Sequence, residues 1–151
     1  MLNSDDFSLM IKKSTLLLTA MLIGSFILSS AENYINIGNI FNGSRKYHGT
    51  VNDITPFKTF VFAPIFETFL IYLYIGMTSA KRNTFKYIFF GICMGILHEY
   101  YQPNSFFSIL FVFFMMTYGL VNFLNEYGKM VSITLVAIIH SLYNMIVVYY
   151  F

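Results

Sequence analysis

Long runs of apolar residues dominate the chain, and polar residues fall mostly into short breaks between them. Five runs each approach the ~20 residues that a helix needs to span a bilayer. The pattern predicts an all-α polytopic membrane protein, a bundle of about five transmembrane helices forming one membrane domain over residues 1–151. The predicted spans are residues 14–30, 59–80, 87–101, 105–124 and 130–151, and residues 31–58 are predicted to be an irregular polar loop.

The composition agrees with a membrane protein and excludes other classes. The chain is 57% hydrophobic and 11% charged, whereas a soluble domain of this size has about a quarter charged residues. Little hydrophilic sequence is left for a separate soluble domain. The net charge of +2 is too small to indicate nucleic acid, so the predicted partner is the lipid bilayer. The single cysteine, Cys93, excludes an intramolecular disulfide.

The distribution of basic residues predicts the orientation of the bundle. Six lie on the side of the N-terminus and three on the other side, and the positive-inside rule places the larger group in the cytoplasm. The N-terminus is therefore predicted to be inside and the C-terminus outside. The first span also resembles a signal peptide, but an uncleaved anchor is predicted because more spans follow. The larger group is Lys12, Lys13, Lys81, Arg82, Lys86 and Lys129, and the smaller is Arg45, Lys46 and Lys58.

Very few ionisable side chains interrupt the predicted spans, and they lie at similar depths. At ~1.5 Å per residue from the nearest lysine on the cytoplasmic side, Glu67 lies ~21 Å deep, His98 ~18 Å and His140 ~17 Å. Asn144 lies ~23 Å deep. In a hydrocarbon core of ~30 Å these groups share one layer just beyond the midplane. Each is costly there unless it faces the bundle interior, so the sequence predicts one buried site, with Glu99 interpreted as interfacial.

Local spacing supports this site. His140 and Asn144 are four residues apart, so they share one helix face. Gly91 and Gly95 share a face with His98, and small residues at this spacing let a neighbouring helix approach closely. A single histidine in a span is often only a helix–helix hydrogen-bonding residue, so the prediction depends on the combination.

A proline precedes the glutamate by one turn. Pro64 has no backbone N–H, and it therefore frees the carbonyl of Phe60 within the span that carries Glu67. Non-helical or loosened backbone at membrane depth is tolerated where it lines a cavity. The sequence therefore predicts a water-containing cavity beside Glu67.

Three stretches, "APIFETFLIYL", "GICMGILH" and "HSLYN", together resemble the three motifs of the CPBP family of intramembrane proteases (CAAX protease and bacteriocin-processing, or Abi). That family has Glu-Glu-x-x-x-Arg commonly preceded by Ala-Pro, then Phe-x-x-x-His, then His-x-x-x-Asn. The matching residues are Glu67, His98, His140 and Asn144. The chain departs from the motifs at three positions: Thr68 replaces the second glutamate, Tyr72 the arginine and Met94 the phenylalanine.

The resemblance implies a function and a role for each matching residue. It implies a glutamate-type intramembrane endopeptidase of the bacterial cytoplasmic membrane, acting on a membrane-associated peptide or protein substrate. Glu67 and His98 would activate a water molecule, while His140 and Asn144 would stabilise the oxyanion. No cofactor is expected, because His-x-x-x-Asn offers only one good zinc ligand and no His-Glu-x-x-His pair is present. The alternative is a divalent metal such as zinc bound by Glu67, His98 and His140.

Two other functions compete with proteolysis. A catalytically inactive family member acting as a bacteriocin-immunity or scaffold membrane protein is favoured by the changes at Thr68 and Tyr72. A proton or solute conduit using the same polar groups would need a polar path across the whole bilayer, whereas the predicted groups form one layer.

Overall fold

The described residues form a bundle of five helices. A computed structural model describes residues 4–35, 56–78, 83–99 and 106–150, and these ranges contain helices without strands. The prediction of an all-α chain is confirmed for these ranges. The helices are α1 (Ser4–Ile35), α2 (Ala63–Thr78), α3 (Thr84–Glu99), α4 (Phe106–Tyr127) and α5 (Lys129–Tyr150), and a π-helical segment (Lys58–Phe62) leads directly into α2.

The length and composition of these helices are those of a membrane protein. Four helical stretches are long and apolar enough to cross a membrane, namely α1, the π-helical segment with α2, α4 and α5. The remaining helix, α3, is apolar but shorter. Large apolar side chains also face outward, including Leu16, Phe66 and Ile138. Helices that are apolar on all sides are typical of membrane spans.

Helix α4 is the centre of the bundle. It packs against α1, α2, α3 and α5, and its side chains Met116 and Leu120 are fully buried. The core continues from α4 into Met21 of α1, Ile71 of α2 and Val136 of α5. The other helices are therefore arranged around α4, and each presents one side to a common interior.

The glycines of α3 allow the backbone of α4 to approach closely, as their spacing predicts. A Cβ added at Gly91 would lie 2.7 Å from the carbonyl oxygen of Leu110, and one added at Gly95 would lie 3.1 Å from the ring of Phe106. The glycines therefore seat α3 directly on α4 and bring His98, one turn further along, against the same helix.

The close contact at Gly91 leads to a stability prediction. We expect Gly91→Ala to destabilise the protein by about 1–3 kcal/mol, because the new methyl group meets a backbone carbonyl that cannot rotate away. Gly76→Ala in α2 is the matched control, since nothing lies within 4 Å of a Cβ added there. Thermal unfolding of the purified protein in detergent would compare them. Equal stability of the two variants would contradict the observed packing of α3 on α4.

Basic residues gather toward one end of the bundle. Lys13 of α1 forms an ion pair with Glu126 near the end of α4, with Nζ 2.6 Å from Oε1. Lys129 begins α5 and lies 4.7 Å above the ring of Tyr72, while Lys86 Nζ donates to the last carbonyl of α2. Four of the other basic residues named for the orientation lie outside the described residues, namely Lys81, Arg82, Arg45 and Lys46.

Both predicted ends of the polar loop are wrong, because residues 31–35 and 56–58 are helical. Helix α1 begins earlier than the predicted span and continues to Ile35. The physical reason for this extension is Glu32, which is 2% exposed. Its carboxylate accepts hydrogen bonds from the backbone N–H groups of Phe107 and Ser108 at the start of α4. Residues 36–55 of the predicted loop, which include His48, lie outside the described residues.

Candidate active site

Three of the four predicted site residues meet at a single carboxylate. Glu67 on α2 directs its Oε1 toward Nε2 of His98 on α3, at 3.5 Å, and its Oε2 toward Nε2 of His140 on α5, at 3.4 Å. These distances are slightly longer than ordinary N–H···O hydrogen bonds. The cluster is mostly shielded, since the Glu67 side chain is 16% exposed and that of His140 4%. The residues predicted from the sequence to share one depth in the bilayer are therefore neighbours in the structure.

The orientation of His98 is determined by the backbone of its own helix. Its Nδ1 lies 3.0 Å from the carbonyl oxygen of Met94. A carbonyl oxygen only accepts hydrogen bonds, so Nδ1 is the protonated nitrogen. In the neutral ring Nε2 therefore presents a lone pair toward Glu67. Because this contact uses a backbone carbonyl, it does not depend on the side chain at position 94, where the resemblance expects phenylalanine.

An aromatic ring from the central helix packs against both histidines. The ring centroid of Phe113 on α4 lies 5.4 Å from that of His98 and 6.1 Å from that of His140. Phe113 is itself 2% exposed, so it cannot move without disturbing the core. The sequence did not predict this residue, because nothing distinguishes it from the other seventeen phenylalanines.

Asn144, the fourth predicted residue, lies one turn beyond His140 and is hydrogen-bonded to a backbone carbonyl rather than to Glu67. Its Nδ2 donates to the carbonyl of Thr59, at 3.0 Å. A side-chain amide has two N–H groups, so one remains for another acceptor. The neighbouring Ser141, which the sequence analysis did not select, donates its hydroxyl to the carbonyl of Phe60. That is the carbonyl which Pro64 was predicted to free.

A cavity connects these groups. Its volume is about 610 Å³, within the range usual for ligand-binding sites. The π-helical segment, α2 and α5 contribute Thr59, Glu67, His140 and Asn144 to its lining, and α1 contributes several serines. The predicted cavity beside Glu67 is therefore present. Lys58 also lines it.

The two departures from the first motif have different surroundings. Thr68 is fully buried, and among the described residues its hydroxyl has no hydrogen-bond partner. At the position where the motif has its second glutamate, this chain therefore buries a neutral hydroxyl group. Tyr72 carries Lys129 above its ring, so a positive charge lies near the position where the resemblance expects arginine.

Asn122, a polar residue near the end of α4, is not part of the cluster. Its Nδ2 donates to the Tyr118 carbonyl of its own helix, and the side chain of Glu99 is outside the described part of the chain. Within the described ranges, no group of three or more His, Cys, Asp or Glu residues is arranged to hold a metal ion. The zinc alternative with Glu67, His98 and His140 as ligands stays a prediction.

The fold and the site define a class: a helical protein with stretches long and apolar enough to cross a membrane, and with one glutamate and two histidines lining a partly open cavity. No family model, curated protein or solved structure matches this chain. The function is therefore inferred from the residues of the site.

Proposed function

We propose that this protein is an intramembrane endopeptidase of the glutamate type, a divergent member of the CPBP family. It hydrolyses a peptide bond of a membrane-associated peptide or protein. The observation that carries the proposal is the carboxylate of Glu67, whose two oxygens each face an imidazole at the wall of a cavity in an apolar bundle. Ionisable groups are rare inside membranes and mark functional sites there.

The proposed reaction gives each side chain a role. Glu67 accepts a proton from a water molecule, and the hydroxide oxygen forms a bond to the carbonyl carbon of the substrate. The oxyanion that develops accepts hydrogen bonds from His140 and from the second amide N–H of Asn144. Glu67 passes its proton to Nε2 of His98, which delivers it to the leaving amine as the C–N bond breaks and the oxyanion returns to a carbonyl. The fixed Nδ1–H of His98 supports this role, because it leaves Nε2 to exchange protons on the Glu67 side.

A processing assay in cells tests the proposal. Membranes of cells producing wild type, Glu67→Gln or His98→Ala would be compared for cleavage of a cognate precursor, with equal protein amounts verified by immunoblot. We expect cleavage by wild type alone. If both variants process the precursor as well as wild type, the protein is not a protease of this kind.

The second candidate is a non-catalytic immunity or scaffold membrane protein. The buried Thr68 favours it, because a residue with no carboxylate replaces the second glutamate of the motif. This function predicts that cells carrying Glu67→Gln keep full protection against the cognate bacteriocin. Loss of protection together with loss of processing would instead support the protease.

Removal of metal ions tests the proposed chemistry separately. We expect processing by purified protein to continue in the presence of EDTA and 1,10-phenanthroline, because the proposed base and oxyanion donors are all side chains. A zinc metalloprotease in the same detergent would serve as the control for chelation. Inhibition that added zinc reverses would overturn the metal-free mechanism and support the zinc alternative.

The proposed orientation, with the N-terminus in the cytoplasm, can be tested by labelling cysteines in intact cells. Tyr34 at the end of α1 is 92% exposed, and Thr84 at the start of α3 is also exposed. In a Cys93→Ser background, we expect an impermeant maleimide to label Tyr34→Cys in intact cells and Thr84→Cys only after permeabilisation. The opposite pattern would show that the N-terminus lies outside.

A further inference from the structure

The backbone carbonyls of Thr59 and Phe60 lie just before α2, where Pro64 lacks the N–H group that could donate to one of them. In an α-helix the N–H of residue 64 would bond to the carbonyl of Phe60, and in a π-helical turn to that of Thr59. Residue 64 is a proline and has no N–H. The adjacent Ala63 N–H follows the π-helical pattern and donates to Lys58. Each of the two carbonyls has thus lost one possible partner within its own helix.

Side chains of α5 supply donors to both carbonyls. Ser141 Oγ donates to Phe60, and Asn144 Nδ2 donates to Thr59 at 3.0 Å. Ser141 and Asn144 are three residues apart and therefore lie on one face of α5. We call these two hydrogen bonds the carbonyl clamp. It joins α5 to the π-helical segment through two points.

The carbonyl clamp lies next to the Glu67–His140 pair on both helices. His140 immediately precedes Ser141, and Glu67 follows Pro64 by three residues, less than one helical turn. Sliding α2 along α5 would break both hydrogen bonds of the clamp. It would also change the 3.4 Å separation between Glu67 Oε2 and His140 Nε2.

We propose that Ser141 is a positioning residue, which sets the register of α2 against α5 and thereby holds Glu67 at His140. Because Pro64 has no N–H, the two carbonyls before it can accept hydrogen bonds from α5. These bonds form in only one register of α2 against α5. Asn144 contributes one amide N–H to the same clamp. The effect of Ser141 on turnover rests on the proposed hydrolysis, whereas the clamp as a structural coupling does not.

The first test compares two variants of the same shape. Ser141→Thr retains the hydroxyl, and Ser141→Val replaces it by a methyl group. We expect Ser141→Val to lower kcat by up to ~100-fold, as expected for a small misplacement of reacting groups, with KM nearly unchanged. Ser141→Thr should restore most of the rate. Thr134→Val, at an exposed position of the same helix, is the control and should match wild type. Equal losses in Ser141→Thr and Ser141→Val would overturn the proposal.

The second test needs no enzymatic activity. Pro64→Ala restores a backbone N–H, so the carbonyls regain a donor within their helix and depend less on α5. In the wild-type chain, we expect Ser141→Val to lower the Tm in detergent by ~2 °C or more, as the loss of about one hydrogen bond predicts for a chain of this length. In the Pro64→Ala variant, the same substitution should lower the Tm by less than half as much. Identical losses in the two backgrounds would overturn the clamp.

The two tests separate failure of the inference from failure of the proposed function. If Glu67→Gln processes substrate normally while Ser141→Val and Pro64→Ala are coupled in stability, the protease is wrong and the clamp is correct. If Glu67→Gln is inactive while Ser141→Val is as active as wild type, the protease stands and Ser141 is not a positioning residue.

Discussion

Glu67→Gln is expected to slow substrate processing by roughly 10²–10⁴-fold, the usual contribution of a general base. Glutamine has nearly the same size and shape as glutamate, but its amide cannot accept the proton of the attacking water. The packing of α2 should therefore survive. The rate would be measured with purified protein and a cognate precursor under single-turnover conditions, so that substrate binding and product release do not limit it.

The matched control for this change is Glu126→Gln. Glu126 carries the same side chain, but it is 39% exposed and pairs with Lys13 at the end of the bundle. We expect this variant to keep wild-type turnover, since exposed ion pairs contribute little even to stability. Full activity in Glu67→Gln, with normal protein amount and folding, would exclude Glu67 as the base. A similar loss in both variants would point to a general effect of charge.

Glu32→Ala is expected to destabilise the fold by about 2–3 kcal/mol, more than any single change of an exposed charge. The carboxylate accepts hydrogen bonds from the backbone N–H groups of Phe107 and Ser108, and its negative charge lies at the positive N-terminal end of α4. Alanine would leave buried donors without this partner, which typically costs about 1–3 kcal/mol. Thermal or denaturant-induced unfolding in detergent would measure the loss.

Two further variants separate the effect of the charge and of burial from the loss of a carboxylate as such. Glu32→Gln keeps one acceptor oxygen without the charge, so its stability should lie between those of wild type and Glu32→Ala. Glu126→Ala removes an exposed carboxylate, and its loss should stay below about 1 kcal/mol. If Glu32→Ala were no less stable than Glu126→Ala, the junction between the end of α1 and the start of α4 would not be a principal support of the bundle.

Much of the candidate site could be predicted from the sequence, because exposing a polar side chain to lipid carries a large free-energy penalty. A carboxylate or imidazole in a long apolar helix must face the bundle interior, and the rise per residue then gives its depth. This reasoning selected Glu67, His98 and His140, and in the structure Nε2 of each histidine lies within 3.5 Å of a carboxylate oxygen of Glu67. The close approach at Gly91 followed from spacing in the same way.

Three sets of contacts between distant parts of the chain could not be predicted. Glu32 follows an apolar run and resembles the first residue of a polar loop, yet its partners are 75 and 76 residues further along. Ser141 resembles an ordinary serine in a span, and its acceptor is a carbonyl 81 residues earlier. Phe113 packs against both histidines, but no pattern singles it out.

The sequence by itself determined the apolar helices, the proline before Glu67 and the common depth of the glutamate and the two histidines. These are consequences of local periodicity and of the penalty for polar groups in hydrocarbon. The tertiary structure alone decided which carboxylate oxygen faces which imidazole, that Asn144 binds the Thr59 carbonyl, and that Glu32 caps α4. The physical reason is that hydrogen bonds between helices depend on the rotation and register of both partners, which depth along one helix does not specify.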